Sequence, residues 1–464
     1  MTYRLPDLEI SSTDPFLNDA LNRKPVVEFL ASFLGRVTGP FVMALDSPWG
    51  TGKTTLIRML KAKLEHDNFQ CVYFNAWQVD YVTDPLVALV SSVDGIQLGT
   101  AEAESIFRTR LTNVKKITSA VAKRGVVAIA KAATLGGLDL EKDIEAVTAE
   151  LAGGFAGDAV DAFQKEKDAL NKFRLELELA VAQLEKANKK PSLIICIDEL
   201  DRCRPTFAIE MLERIKHLFD VPGIIFVLSI DKAQLESSTA AVYGERINAP
   251  EYLRRFIDVE YALPTLPGKG FTRVLFKRFK LDEVFAKRSH SELKYDKDHF
   301  IDFFSSVADI AQLSLRARER CMTRLQAVMD QTRENDYLFP PLVALLIVIR
   351  TITPDLFRRL QNGTATAADV MAYFNMQPGG SEIVLSRNGV IIEIGLIVAD
   401  DNQGRKEKLL KTLRETAEAD KLNNIPSRAS ELLDAIKYFQ NFYSDGPKLG
   451  FILDKIDLSS GLRN

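Results

Sequence analysis

The chain has no apolar stretch approaching the roughly 20 residues that a membrane-crossing helix needs. The nearest runs are Val126 to Ala133, interrupted by Lys131, and Leu342 to Ile349, which stops at Arg350. Both are expected to be core helices. Cysteine is scarce: Cys71, Cys196, Cys203 and Cys321 occur without a C-x-x-C spacing, and the first two fall in predicted strands. This excludes a disulfide framework and a cysteine zinc site and leaves reduced, buried thiols. Neither sign of charge dominates, the net being −3, so nothing attracts the whole chain to nucleic acid or anionic lipid. Met1 to Glu9 lacks a basic segment followed by an apolar one, so no signal peptide and a cytoplasmic location are expected. No internal repeat is evident.

What is present is globular: hydrophobic residues make up 46% and charged ones 27% of 464 residues, enough for two or three domains. The most informative segment is Ser47, Pro48, Trp49, Gly50, Thr51, Gly52, Lys53, Thr54, followed by Thr55. It follows the apolar run Phe41 to Leu45 and precedes a helix-forming stretch. A strand, a glycine-bearing loop and a helix start in that order aim backbone N–H groups and a helix dipole at one point, where a polyphosphate is stabilised. Lys53 then reaches the β- and γ-phosphates, and Thr54 offers its hydroxyl to magnesium. Ser47 stands where the usual pattern has glycine.

A second segment agrees with the first. Ser192 to Ile197 is a short run rich in β-branched isoleucine and without polar alternation, as expected of a strand covered on both faces, and it ends in Asp198 and Glu199. Carboxylates at such a strand end lie where open α/β sheets bind ligands. Asp198 is placed to hold the magnesium shell, and Glu199 to orient or deprotonate the attacking water. The alternative is that both merely cap the next helix. Gly223 to Leu228 is another buried strand, ending in Ser229, Ile230 and Asp231, which either face the γ-phosphate or cap the helix at Lys232.

Strands at Phe41 to Leu45, Cys71 to Phe74, Ser192 to Ile197, Gly223 to Leu228 and Ile257 to Leu263 alternate with helices, which implies an α/β doubly wound parallel sheet. Far more chain separates Lys53 from Asp198 than a crossover of about 30 residues requires. Positions 98 to 190 therefore form an insertion of long amphipathic helices, with Phe163, Leu170, Phe173, Leu177, Val181 and Leu184 at helical spacing. The expected organisation is a core in two parts, 1–97 and 191–264, around the insertion 98–190, then a helical lid 265–376 and a small, mostly helical region 377–464. Asn388 and Gly389 allow a hairpin or a helix start.

Together, the W-G-x-G-K-T loop at Trp49 to Thr54, F-N-A-W at Phe74 to Trp77, D-E-L-D-R-C at Asp198 to Cys203, and Y-L-R-R-F-I at Tyr252 to Ile257 resemble the KAP family of P-loop NTPases. That family belongs to the additional-strand, catalytic-glutamate class. The resemblance covers about residues 15 to 330 and implies a magnesium-dependent ATPase. Members commonly carry transmembrane helices where this chain has its insertion. Bacterial relatives resemble parts of defence systems, which is the setting the resemblance implies.

Phosphoryl transfer also needs positive charge on the γ-phosphate. Arg254 or Arg255, before the last strand, and Arg316, in the lid, are the candidates, the alternative being solvated helix faces paired with Glu251 or Glu319. An arginine supplied in trans would demand a homo-oligomer. Trp77 is expected in the core. No N-K-x-D loop follows a strand, so ATP is expected over GTP. Three functions remain: a switch coupling nucleotide state to a protein partner, a nucleic-acid motor or loader, and a scaffold that binds ATP without hydrolysing it. The motor rests on Phe271, Arg273, Phe276, Lys277, Arg278, Phe279 and Lys280, which read more simply as an amphipathic helix.

Overall fold

The computed structural model describes residues 8–132, 156–264, 268–400, 402–423, 425–442 and 448–458. The chain divides into two compact units, Leu8–Pro264 and, apart from the first seven residues, Thr265–Asn464.

The first unit is built on β1 (Phe41–Asp46), β2 (Gln70–Asn75), β3 (Leu193–Asp198), β4 (Ile224–Ile230) and β5 (Val259–Ala262). All pair in parallel, in the order β2-β3-β4-β1-β5. The phosphate-loop strand and the carboxylate strand are thus separated by β4, the additional strand that the resemblance implies. β3 and β4 are buried at every position, which is why they read as unbroken apolar runs.

Alternate side chains leave opposite faces of the sheet. Ala44, Val72, Ile195 and Phe226 join one core, and Leu45, Cys71, Cys196 and Val227 join the other. On the second face lie α1 (Lys24–Leu34) and α2 (Lys53–His66). On the first lie α3 (Pro85–Val93), the insertion helices α4 (Ala101–Ala132) and α5 (Ala156–Val181), α6 (Gln183–Lys186) and α7 (Pro205–Leu218). Then come α8 (Lys232–Tyr243) and α9 (Ala249–Leu253). The sheet is therefore doubly wound. In the insertion, Phe173, Leu177, Val181 and Leu184 are buried, as their spacing demands. Phe163 is among the side chains outside the description, and so are those of Val126 to Ala133.

Strands β1 to β4 all run further than expected, β1 to Asp46 and β2 to Asn75. β3 includes Asp198 and β4 includes Ser229, so both side chains are aimed by the pleat rather than by a loop. β5 is shorter than expected and largely exposed, as suits an edge.

The described part of the second unit is helical. Leu342 to Ile349 are wholly buried within the helix Pro340–Ile352, and among the described residues no helix is long and apolar enough to cross a membrane. At Asn388 the helix start prevails over the hairpin, because the Ser386 side chain caps the helix Arg387–Ala399 by accepting from the Asn388 N–H at 3.2 Å. In the helix Gly268–Arg278, Phe271 and Phe276 are buried, as is Phe279 just after it, while Arg273, Lys277 and Lys280 are exposed. That is the amphipathic reading, and it leaves no aromatic face there on which a base could stack. All four cysteines are buried free thiols. Burial pushes Cys196 up to about 12, which removes it from thiolate chemistry at neutral pH.

Candidate functional site

The site lies at the C-terminal ends of β1, β3 and β4. Register sets the row: Asn75 pairs with Asp198, Asp198 with Ser229, and Ser229 with Leu45, one residue before Asp46. Neighbouring strands lie about 4.8 Å apart, so the tips of β1 and β3 leave a gap of about 10 Å across β4.

The loop from Ser47 to Gly52 bridges toward that gap. Gly50 (φ 79°) and Gly52 (φ 89°) occupy the left-handed region, where any side chain would be strained. Ser47 is outside that region, which explains why serine is accepted at the first position. Its hydroxyl instead donates to Thr51 Oγ1 at 2.8 Å, and its N–H extends the pairing to Ile230 O at 3.1 Å. The Trp49 N–H donates to Asp231 Oδ2 at 3.2 Å, and the Trp49 indole N–H to Asp201 Oδ2. Asp231 therefore fastens the loop, and its side chain does not cap α8.

From beneath, Arg23 donates to Thr51 O and to Pro264 O, each at 3.2 Å. Lys53 donates from its ammonium to the carbonyls of Ser47 and Pro48. Burial lowers its pKa, opposed by Asp201, Asp231, Asp198 and Asp46. α2 begins at Lys53 with no capping side chain and no acid in its first turn. Its first N–H groups and dipole are thus left for an anion.

Asp198, 1% exposed, is held from three sides. Ser229 Oγ donates to Oδ1 at 2.8 Å, Tyr73 Oη to Oδ2 at 2.9 Å, and the Glu199 N–H to Oδ1 at 3.0 Å. Asp198, Tyr73 and Ser229 share a sheet face with Cys196, Cys71 and Val227, the face that packs on α2. Burial and the neighbouring Asp198 push Tyr73 up to about 12, so its phenol remains a donor at neutral pH. The Arg58 guanidinium lies 5.3 Å from its ring centroid.

Glu199 follows in a left-handed conformation, φ 60°, and its side chain makes no capping bond. The capping alternative therefore fails. Instead Oε2 accepts from Asn75 Nδ2 at 3.0 Å, and Oε1 pairs with Arg202 Nη1 at 2.5 Å. Trp77 is 52% exposed rather than in the core. It follows the end of β2, and its indole faces Arg202 instead.

Lys53, Asp198, Glu199, Ser47 and the glycines are brought together. Arg254 and Arg255 are not. They precede β5 on the side where β1 begins, opposite the phosphate loop, with Arg254 paired to Glu251 at 2.9 Å and Arg255 over the Tyr252 ring. Arg316 belongs to the other unit and is exposed. Its neighbour Arg318 is buried and committed to Asp309 and the Leu313 carbonyl.

The residues fit a magnesium nucleotide. Among the described residues no three or more His, Cys, Asp or Glu are grouped to hold a metal unaided. Magnesium would be held by the Thr54 hydroxyl and Asp198, with nucleotide oxygens completing its shell. Four carboxylates, of Asp201, Asp231, Asp198 and Asp46, act on the single ammonium of Lys53, so acids outnumber it there, although burial works against the charge of Asp201, whose Oδ1 is buried without a hydrogen-bond partner. A divalent cation suits that field. Tyr73→Phe, which removes one bond orienting Asp198, should raise the magnesium needed for half-maximal turnover about tenfold. Magnesium titration at fixed nucleotide checks this, and an unchanged midpoint would refute it.

A model of the KAP family P-loop domain matches residues 23–331. No curated protein matches. Among solved structures, that of the Aeropyrum pernix ORC2 protein in ADPNP-ADP complexes is similar over 94% of each chain at 14% identity, with a TM-score of 0.34, a likeness too low to carry an argument.

Proposed function

The chain belongs to the KAP family of P-loop NTPases, and on that premise we propose that it is a magnesium-dependent ATPase acting as a switch that couples nucleotide state to a protein partner. Nucleotide binding and hydrolysis are the family's chemistry. The observation that carries the reading for this chain is the convergence of an uncapped helix start, Lys53, Asp198 and Glu199 at one end of the sheet. Magnesium, which Thr54 and Asp198 would hold, would supply charge neutralisation for the triphosphate. Lys53 and the N–H groups of α2 bind and orient the phosphates, Asp198 fixes the metal side, and Glu199 accepts the proton of the attacking water.

A switch is preferred to a nucleic-acid motor because the basic-aromatic stretch buries its phenylalanines. Arg254 and Arg255, at the opposite end of the strands, would serve a second copy of the chain or no site at all. Bacterial defence is the setting, on the family resemblance alone. Turnover of ATP and GTP with and without magnesium tests the assignment. ATP hydrolysis that needs magnesium and stays within about twofold on adding DNA or RNA is expected. DNA-stimulated turnover, with binding that collapses in salt, would favour the motor.

A further inference from the structure

We infer that Arg23 is a positioning residue for the polyphosphate, turning the Thr51–Gly52 peptide so that the Gly52 N–H faces the β-phosphate, an inference that rests on the nucleotide-binding reading above. Asp19 fixes the root of the side chain. Its carboxylate accepts from the N–H groups of Arg23 and Lys24, each at 2.8 Å, just where α1 begins. Val27 and Leu30 of α1 then pack in one core with Leu56 and Leu60 of α2. The arginine is thereby set under the loop that opens α2.

What the guanidinium does there follows from peptide geometry. Its Nη2 donates to Thr51 O at 3.2 Å, and in a trans peptide the N–H of the next residue points the opposite way from that carbonyl. Drawing Thr51 O down therefore turns the Gly52 N–H up, into the cradle at the start of α2. That N–H has no acceptor among the described residues. Glycine leaves the peptide free to rotate, and Arg23 holds it. The other arm, Nη1, donates to Pro264 O at 3.2 Å, two residues past β5, where the Leu263 N–H prolongs the pairing to Asp46 O at 3.0 Å. Each bond braces the other. Fold stability alone gives no reason for the arrangement, because Arg23 is 4% exposed, pairs with no carboxylate among the described residues and keeps its Nε buried without a partner. Burial lowers its pKa, with Asp19 opposing. An uncompensated cation beneath the loop favours an anion above it.

Calorimetric titration of the full chain with MgATP and with MgADP tests this. Arg23→Gln should weaken both about tenfold, by equal factors because the β-phosphate is common to the two, and should raise KM for MgATP to match. Its kcat should stay within about twofold, since Asp198 and Glu199 are untouched. Arg23→Lys keeps the charge but not the planar fork that reaches two carbonyls, so it should recover only part of the loss. Unchanged affinities in Arg23→Gln, a fall in kcat with KM unchanged, or full affinity in Arg23→Lys overturns the inference. A merely structural arginine would lower the unfolding temperature and spare both affinities, whereas nucleotide-free Arg23→Gln should unfold within a few degrees of the parent. Where Arg23→Gln fails to fold, Arg23→Lys decides alone: affinity equal to the parent's overturns the inference, and a partial loss upholds it. A parent that binds MgADP yet turns over no MgATP would defeat the ATPase reading instead, and the two affinities would still judge Arg23.

Discussion

Glu199→Gln should lower kcat for ATP by about 10²- to 10⁴-fold while changing ATP affinity by no more than about threefold. Glutamine keeps the shape and can still bond with Asn75, but it cannot take a proton from water. The left-handed backbone at Glu199 is equally available to glutamine, so the local strain is unchanged. Affinity is spared because the phosphate contacts come from the loop and α2, not from the β3 tip. The substitution also breaks the charge pair with Arg202, and the release of that arginine cannot compensate for a missing base. Single-turnover hydrolysis together with equilibrium binding separates the two effects. Equal slow turnover in parent and variant would support a scaffold that uses nucleotide only for stability.

The legible part of this molecule is the part dictated locally. The unbroken runs of β3 and β4 read as strands covered on both faces, and they are buried at every position, while the turn at Gly50 and Gly52 before α2 has the left-handed glycines that a phosphate cradle needs. Cross-strand chemistry was not legible. Tyr73 grips Asp198 because β2 lies beside β3, and the order β2-β3-β4-β1-β5 cannot be deduced from chain order. The period-2 rule would have placed Tyr73, Asp198 and Ser229 on one face once that order was known. Trp77 was expected in the core, whereas its position past the end of β2 leaves it half-exposed against Arg202. Arg254 and Arg255 were grouped with the site through nearness in sequence to β5, but the strand's direction leaves them at the opposite end of the strands, where β1 begins. Ser386 is a subtler case, since one side-chain acceptor decided a choice that Asn388 and Gly389 leave open.

Lys53→Ala should weaken ATP binding by at least tenfold to a hundredfold, corresponding to the loss of a charge-assisted contact of about 1.5–3 kcal/mol. The lysine is the cation on which Asp201, Asp231, Asp198 and Asp46 all act, and burial already lowers its pKa. Without it, the triphosphate meets a pocket that keeps the carboxylates of Asp201, Asp231, Asp198 and Asp46 but has lost the ammonium on which they act. The Ser47 and Pro48 carbonyls also lose their ammonium donor, so the empty loop loosens as the affinity falls. A thermal unfolding curve separates this local effect from general misfolding: the nucleotide-free variant should unfold within a few degrees of the parent, whereas the upward shift that MgATP gives the parent should largely vanish. Lys53→Arg should not rescue binding, because the planar guanidinium cannot enter a cradle closed around a point charge by Ser47 and Pro48. If the alanine variant bound ATP as tightly as the parent, the phosphate tail would have to lie elsewhere, and the roles given to Thr54, Asp198 and Glu199 would fall with it.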